Sequence, residues 1–388
     1  MPFQPDDWLY VPHVKTAADK SPGLQIVLLA YIRRTLKIRI TILFLLAFSQ
    51  LIGQTIGGNT VFNFLKMPNT PELTALGGVN ISAVANDVGL AFNNPALLRK
   101  EMHSQLNAVF TAQYGGISNY HLSLGYHHEK LNTNFLWGLN FLDYGNLAQT
   151  DASGNSLGNF RPTDWVMQVS ASRTYLEKWQ YGATLKFINS NYGQYRSNGI
   201  AVDIGVLYHD SIQLFSASVL AKNMGSQLRK YDGTDPADLP FDLQVGLSKR
   251  LKNSPLGFSL TAHHLHQFDL TYTDTAFNSA NGFSSPGLKD FTFDKLFRHF
   301  VLAANVYIGD HLQIDVGYNY LRRKELSIGG AGNGLTGFSL GVYLLLDKLQ
   351  VRYARSHYQN NTAYNQFGLN LPLNRYFGLG KLGQKVGW

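Results

Sequence analysis

The chain contains no cysteine, which excludes disulfides, thiolate metal sites and a cysteine nucleophile. Charge is scarce as well. Asp, Glu, Lys and Arg make up 15% of the 388 residues, against about 25% in an ordinary soluble domain. A large soluble β-sandwich or jelly roll exposes far more Lys and Glu than this. The sequence has no G-x-S-x-G elbow, no P-loop and no H-E-x-x-H, so no linear motif marks it as an enzyme and none implies a cofactor. Its formal charge of +8 does not form a block of Lys and Arg interleaved with aromatics, which argues against nucleic acid as a partner. Residues 1–53 hold six basic and three acidic side chains, and the remaining excess is thinly spread.

What is present is aromatic residues at 13% and 37 glycines. From about His103 the apolar residues alternate with polar ones. Tyr120, Leu122, Leu124 and Tyr126 are interleaved with His121, Ser123, Gly125 and His127, and the same period recurs to Phe367, Leu369 and Leu371. A period of two places each apolar set on one face of a strand. About fourteen strands are expected, at 103–114, 117–128, 133–145, 163–175, 178–190, 197–210, 212–224, 240–252, 255–273, 297–308, 311–325, 335–347, 348–358 and 362–373. Most reach the 9 to 11 residues that cross a bilayer when tilted. Links after even-numbered strands are short, whereas 146–162, 225–239, 274–296 and 327–334 are long. Short periplasmic turns facing long external loops are the pattern of outer-membrane barrels. The fold expected is an all-β transmembrane protein, a closed antiparallel barrel over 103–373 in the outer membrane of a Gram-negative bacterium. Trp137, Trp179, Tyr181, Tyr208, Tyr318 and Tyr353 suit its headgroup-level girdles.

Two stretches fall outside this period. Residues 1–53 form a leader in which a basic run from Arg33 to Arg39 precedes an apolar run at 40–48. That is a secretory signal, too short for the roughly 20 residues of a membrane helix. The piece before about residue 30 reads as an extension of the gene model, and 374–388 as a C-terminal tail. The second stretch, within 54–102, is too polar for a span and too irregular for a strand, and is expected to pack inside the barrel as a hatch. There Gly77 and Gly78 allow positive φ, while Pro95 removes a donor and biases Asn94 towards extended backbone.

By alternation Lys186, Asp203, Asp242, Asp315 and Arg352 face the lumen, where buried charges must find partners. Lys186 with Asp203, and Asp87 of the hatch with Arg352, are the expected pairs. His263, His264 and His266 do not read as a metal centre. On one strand His263 points away from the other two, and no carboxylate completes a set nearby. They are assigned to a polar rim.

The segment Gly57-Gly58-Asn59-Thr60-Val61-Phe62-Asn63-Phe64-Leu65, with Pro68, Ala75-Leu76-Gly77-Gly78, Asp87 and Asn94-Pro95-Ala96-Leu97-Leu98, resembles the PorQ family of the type IX secretion system of Bacteroidota. The Ala-Leu-Gly-Gly and Asn-Pro-Ala elements are similar to those of the wider FadL superfamily of fourteen-stranded barrels with an N-terminal hatch. The resemblance implies that Gly77, Gly78, Asp87, Asn94, Pro95 and Ala96 are structural hatch residues. It implies a barrel without catalytic residues that anchors a PorZ-like surface protein. The attachment complex so formed, with PorU-like and PorV-like members, would modify cargo and tether it to lipopolysaccharide. The alternative is FadL-like uptake of hydrophobic compounds, with a lipid or fatty acid in the lumen.

Overall fold

The computed structural model describes residues 60–151, 153–271, 291–326, 334–359 and 362–377. The leader with its signal sequence, Gly57 to Asn59 of the N-terminal motif, most of loop 274–296 and the tail beyond 377 lie outside them.

Among the described residues, alternation of apolar and polar residues produces sixteen strands: β1 (Gln105–Ala112), β2 (Ser118–His128), β3 (Thr133–Asp143), β4 (Leu147–Thr150), β5 (Ser156–Phe160), β6 (Thr163–Tyr175), β7 (Trp179–Tyr192) and β8 (Tyr195–Asp210). The second half continues with β9 (Phe215–Arg229), β10 (Asp242–Arg250), β11 (Leu256–Ala262), β12 (Phe300–Ile308), β13 (Leu312–Asn319), β14 (Phe338–Leu345), β15 (Gln350–Gln359) and β16 (Thr362–Pro372). Fourteen of them form a closed antiparallel barrel in which each strand pairs with the next in the chain and β1 returns to β16. The closing seam runs in unbroken register from Gln105 opposite Pro372 to Ala112 opposite Asn365. Closure leaves no unpaired edge, which is what allows β-structure to exist in lipid. The remaining strands, β4 and β5, make a separate hairpin within the long link before β6.

The two faces of the wall differ as the alternation requires. Along β7, Trp179, Tyr181, Leu185 and Phe187 are exposed on the outside, while Gln180, Thr184, Lys186 and Ser190 are buried on the inside. Aromatic rings gather towards both ends of the outer belt. Trp179 packs on Tyr208 at 5.1 Å between centroids beside the short links, and Tyr318 packs on Phe338 at 4.7 Å at the opposite end. Links 129–132, 176–178, 211–214, 251–255, 309–311 and 346–349 are all short and lie at one end of the barrel.

Three expected elements need correction. The strand expected over 311–325 ends at Asn319, because Asn319 Oδ1 accepts the Arg322 amide at 3.0 Å and starts helix α4 (Tyr320–Leu326). The strand expected over 255–273 ends at Ala262, and His264 two residues on has φ of 55°. A side chain in that left-handed region cannot continue a strand. Conversely, β9 runs to Arg229, beyond the expected 224, and shortens the following loop to 230–241.

Segment 60–102 is built from short helices and 3-10 turns. Helix α1 (Pro71–Ala75) has Pro71 at its start and Thr70 as N-cap, and helix α2 (Val88–Asn93) is capped by Asp87. Helix α3 (Phe293–Phe297) lies in the loop before β12, and α5 (Asn374–Phe377) follows β16.

Candidate functional site

The site is the inner face of the wall together with segment 60–102, which hydrogen-bonds to it on several sides. Gly77 and Gly78 have φ of 91° and 86° and turn the chain out of α1, with the Gly78 amide donating to the Leu73 carbonyl at 2.9 Å. This is the usual way a helix ends on glycine. The freed Gly77 carbonyl accepts from Asn319 Nδ2 at the end of β13 at 3.1 Å and from Arg322 Nη2 of α4 at 2.9 Å. Asn94 is extended at φ −135°, and its Oδ1 accepts the Ala96 amide at 3.0 Å to start the short 3-10 turn Pro95–Leu97. Its Nδ2 donates to Ser218 Oγ of β9 at 3.0 Å. Asp87 Oδ1 accepts the Gly89 amide at 2.9 Å and Asn370 Nδ2 of β16 at 3.0 Å.

The inward charges are arranged in separate groups. Lys186 Nζ lies 2.5 Å from Asp203 Oδ2 and donates to Asn223 Oδ1 at 2.9 Å. Arg352 forms an ion pair with Glu72 of α1 and lies 3.5 Å from Asp87 Oδ2. All five charged groups are at most 2% exposed. Asp315 accepts from amides, Asn305 Nδ2 at 2.7 Å and Gln313 Nε2 at 2.9 Å. Asp242 stands apart from these groups, facing His264. Glu72 escaped the sequence reading because it belongs to no strand. Its signal is the Thr70-Pro71-Glu72 start of a capped helix.

The sequence reading also missed the role of glycine in the wall. Nine strand glycines have their missing Cβ directed at segment 60–102. A Cβ on Gly182 would lie 2.6 Å from the Pro95 carbonyl oxygen, and one on Gly317 would collide with the backbone of Ala75, Leu76 and Gly77. Glycine at inward positions of a strand pattern is the signal, since it marks close approach of another backbone.

Two other groups bear on chemistry. Ser123 Oγ lies 2.7 Å from His121 Nε2, but both residues are buried and His121 Nδ1 has no partner. Without an orienting acid or access, this pair lacks the features of a hydrolytic site. The histidines require a correction. Because the chain leaves β11 at Ala262 and reverses at His264, His263 and His264 converge instead of diverging, and the Asp242 carboxylate joins them.

A cavity of about 460 Å³ lies at the end of the barrel that carries the short links, lined by Glu72, Arg99, His209, Lys249, Arg250 and Arg352 among others.

A closed fourteen-stranded antiparallel barrel with an apolar outer belt, aromatic girdles and a polar interior defines an outer-membrane β-barrel of Gram-negative bacteria. The short links therefore face the periplasm. No family model matches the chain, and no curated protein matches it. Among solved structures it is similar to the TodX monoaromatic hydrocarbon channel in a deltaS2 mutant, at 13% identity over 79% of this chain and 98% of that one, with a TM-score of 0.44. It is similar to a Pseudomonas aeruginosa FadL homologue at 10% identity over 78% and 97%, TM-score 0.43. The KdgM porin aligns at 3% identity over 69% and 98%, TM-score 0.32.

Proposed function

We propose that this barrel is a membrane anchor whose outer loops hold a surface protein. The observation that carries the reading is the keyed fit of segment 60–102 into the inward glycines, exemplified by Gly182 on Pro95 and Gly317 on Gly77. A hatch in this role stays in place. Moving it would separate Arg352 from Glu72 and Asp87, and breaking a buried ion pair costs about 3 to 5 kcal/mol. The resemblance of the N-terminal motif to the PorQ family gives the partner a type, a PorZ-like protein of an attachment complex that also contains PorU-like and PorV-like members and tethers secreted cargo to lipopolysaccharide. The Thr60 to Leu65 part of that motif lies at the outer mouth. Thr60 bridges Asp238, and the Val61 amide donates to the Asp238 carbonyl at 2.9 Å, which ties the segment to loop 230–241. Phe291, Phe293 and Phe297 are exposed on the neighbouring loop before β12 and supply apolar docking surface.

A second reading, passage of hydrophobic compounds, is favoured by an apolar cluster inside the barrel. It extends from Val61, Phe62 and Leu239 at the outer mouth to Leu98 and Met102 on the periplasmic side. A bound lipid or fatty acid in the lumen belongs to this reading.

The absence of cysteine provides a direct test. A Cβ on Gly246 would lie 3.2 Å from Ser82 Cβ, near the roughly 3.5 to 4.5 Å of a disulfide, so S82C/G246C locks the segment to the wall. Under the anchor reading the locked barrel, extracted in detergent from its native membrane, retains its surface partner as fully as wild type, and F293S/F297S loses it. Recovery of no surface protein with either form, together with uptake of a labelled fatty acid that the lock abolishes, would overturn the anchor reading in favour of transport.

A further inference from the structure

We propose that Asp242, His263 and His264 form a binding site for a divalent transition-metal ion of the zinc type at the outer mouth of the barrel. One ligand atom from each residue lies within 4.8 Å of the other two. His263 Nδ1 and His264 Nδ1 face each other at 2.5 Å, and Asp242 Oδ2 lies 3.9 Å from His264 Nδ1. Two neutral imidazole nitrogens share at most one proton, and an N–H···N contact this short lies below the normal hydrogen-bond range. The two lone-pair directions therefore converge on a small volume beside a carboxylate. Two imidazoles and one carboxylate form the three-ligand set of an open zinc site, which leaves the fourth position to water or an exogenous group.

The surrounding backbone holds this geometry. Asp242 begins β10, and its Oδ1 accepts the His264 amide at 2.6 Å, while Gln244 Nε2 donates to Oδ2 at 2.7 Å. These contacts aim the carboxylate at the two rings, as outer partners of a metal ligand do. The His263 amide donates to the His299 carbonyl at 2.9 Å. His299 is not a ligand, because its two ring nitrogens lie 2.8 and 2.9 Å from the carbonyls of His263 and Phe268. His263 is 1% exposed, and its Nε2 has no hydrogen-bond partner, so no hydrogen bond at that atom opposes rotation of the ring. Zinc–nitrogen bonds of about 2.0 to 2.1 Å in a tetrahedral site require nitrogens roughly 3.3 Å apart, an opening of under 1 Å from the present separation.

The consequence is a staple at the surface. The ion would join the start of β10 to the loop that leaves β11, fixing the two external connections on either side of this hairpin without a disulfide.

The test uses the full barrel, carrying a histidine-free affinity tag, folded in detergent and stripped with chelator. Zn²⁺ titrated by calorimetry is expected to bind at one equivalent per barrel, and Co²⁺ is expected to give the visible absorption of a tetrahedral ion. D242N and H264N each weaken Zn²⁺ binding by roughly tenfold or more. Asn suits position 264 because it tolerates the left-handed backbone there. Heat-modifiable gel migration reports whether each variant is folded. A folded H264N barrel that binds Zn²⁺ as wild type does overturns the site. So does a wild-type barrel with no tetrahedral Co²⁺ spectrum, whatever the variants do.

Discussion

Lys186 and Asp203 meet diagonally across two neighbouring strands. Lys186 is opposite Ala201 and Asp203 opposite Thr184, yet their charged atoms are 2.5 Å apart. The contact sits where the register of β8 and β9 shifts between Val202 and Ile204, and Asp203 Oδ1 accepts the Asn223 amide there at 2.7 Å. Lys186→Met leaves a buried carboxylate without its cation and should destabilise the barrel by about 3 to 5 kcal/mol. K186M/D203N should recover part of that loss, because the second change removes the orphaned charge. Urea titration of the heat-modifiable band measures both. Equal stability of the single and double variants would show that the pair is uncoupled.

Arg352 closes the other charge group. Arg352→Met leaves Glu72 and Asp87 buried together without their cation, and a loss of about 3 to 5 kcal/mol is again expected. E72Q/R352M should be more stable than R352M. If Glu72→Gln brings no rescue in that background, the arginine acts through packing and not through the ion pair.

Gly317 tests the keyed fit. Ala at this position puts a methyl against the backbone of Ala75, Leu76 and Gly77, none of which is a flexible side-chain end. Overpacking of that kind costs about 1 to 3 kcal/mol. The control is Gly334→Ala, which meets nothing within 4 Å and should be neutral. Limited proteolysis should release fragments of segment 60–102 from Gly317→Ala before they appear in the control. Identical digestion of the two would show that the segment is not seated against Gly317.

An acid-sensitive contact lies in the external loops. Asp294 of α3 accepts Tyr320 Oη at 2.7 Å and Arg298 Nε at 2.9 Å, with Lys324 Nζ at 3.0 Å. Partial burial pushes its carboxyl up, but the bonds from Tyr320, Lys324 and Arg298 outweigh that and hold it down at about 2. A depressed acid stabilises the folded loop above its unfolded pKa of about 3.9. That contribution falls away as pH drops from about 4 through 2. The hydrogen-exchange protection factors of residues 291–299 should fall over this window while those of the barrel strands hold. In Asp294→Asn those protection factors should be independent of pH there.

The sequence by itself determined the wall. Side-chain alternation at period two is a local property of each strand, and the contrast between short and long links fixed which end is which, so all fourteen barrel strands were legible to within a few residues at most ends. The two strands that ended early did so for local backbone reasons, the Asn319 cap and the left-handed His264. The pairing of Lys186 with Asp203 was accessible because adjacent strands place their inward residues side by side. Only the tertiary structure decided how segment 60–102 and the external loop residues meet the wall. Glu72 reaches Arg352, nine glycines receive segment 60–102, and His263 turns towards Asp242 through contacts between residues remote in sequence or through a single reversed φ. A periodic pattern records which face a residue occupies, and it carries no information about what that face meets across the barrel.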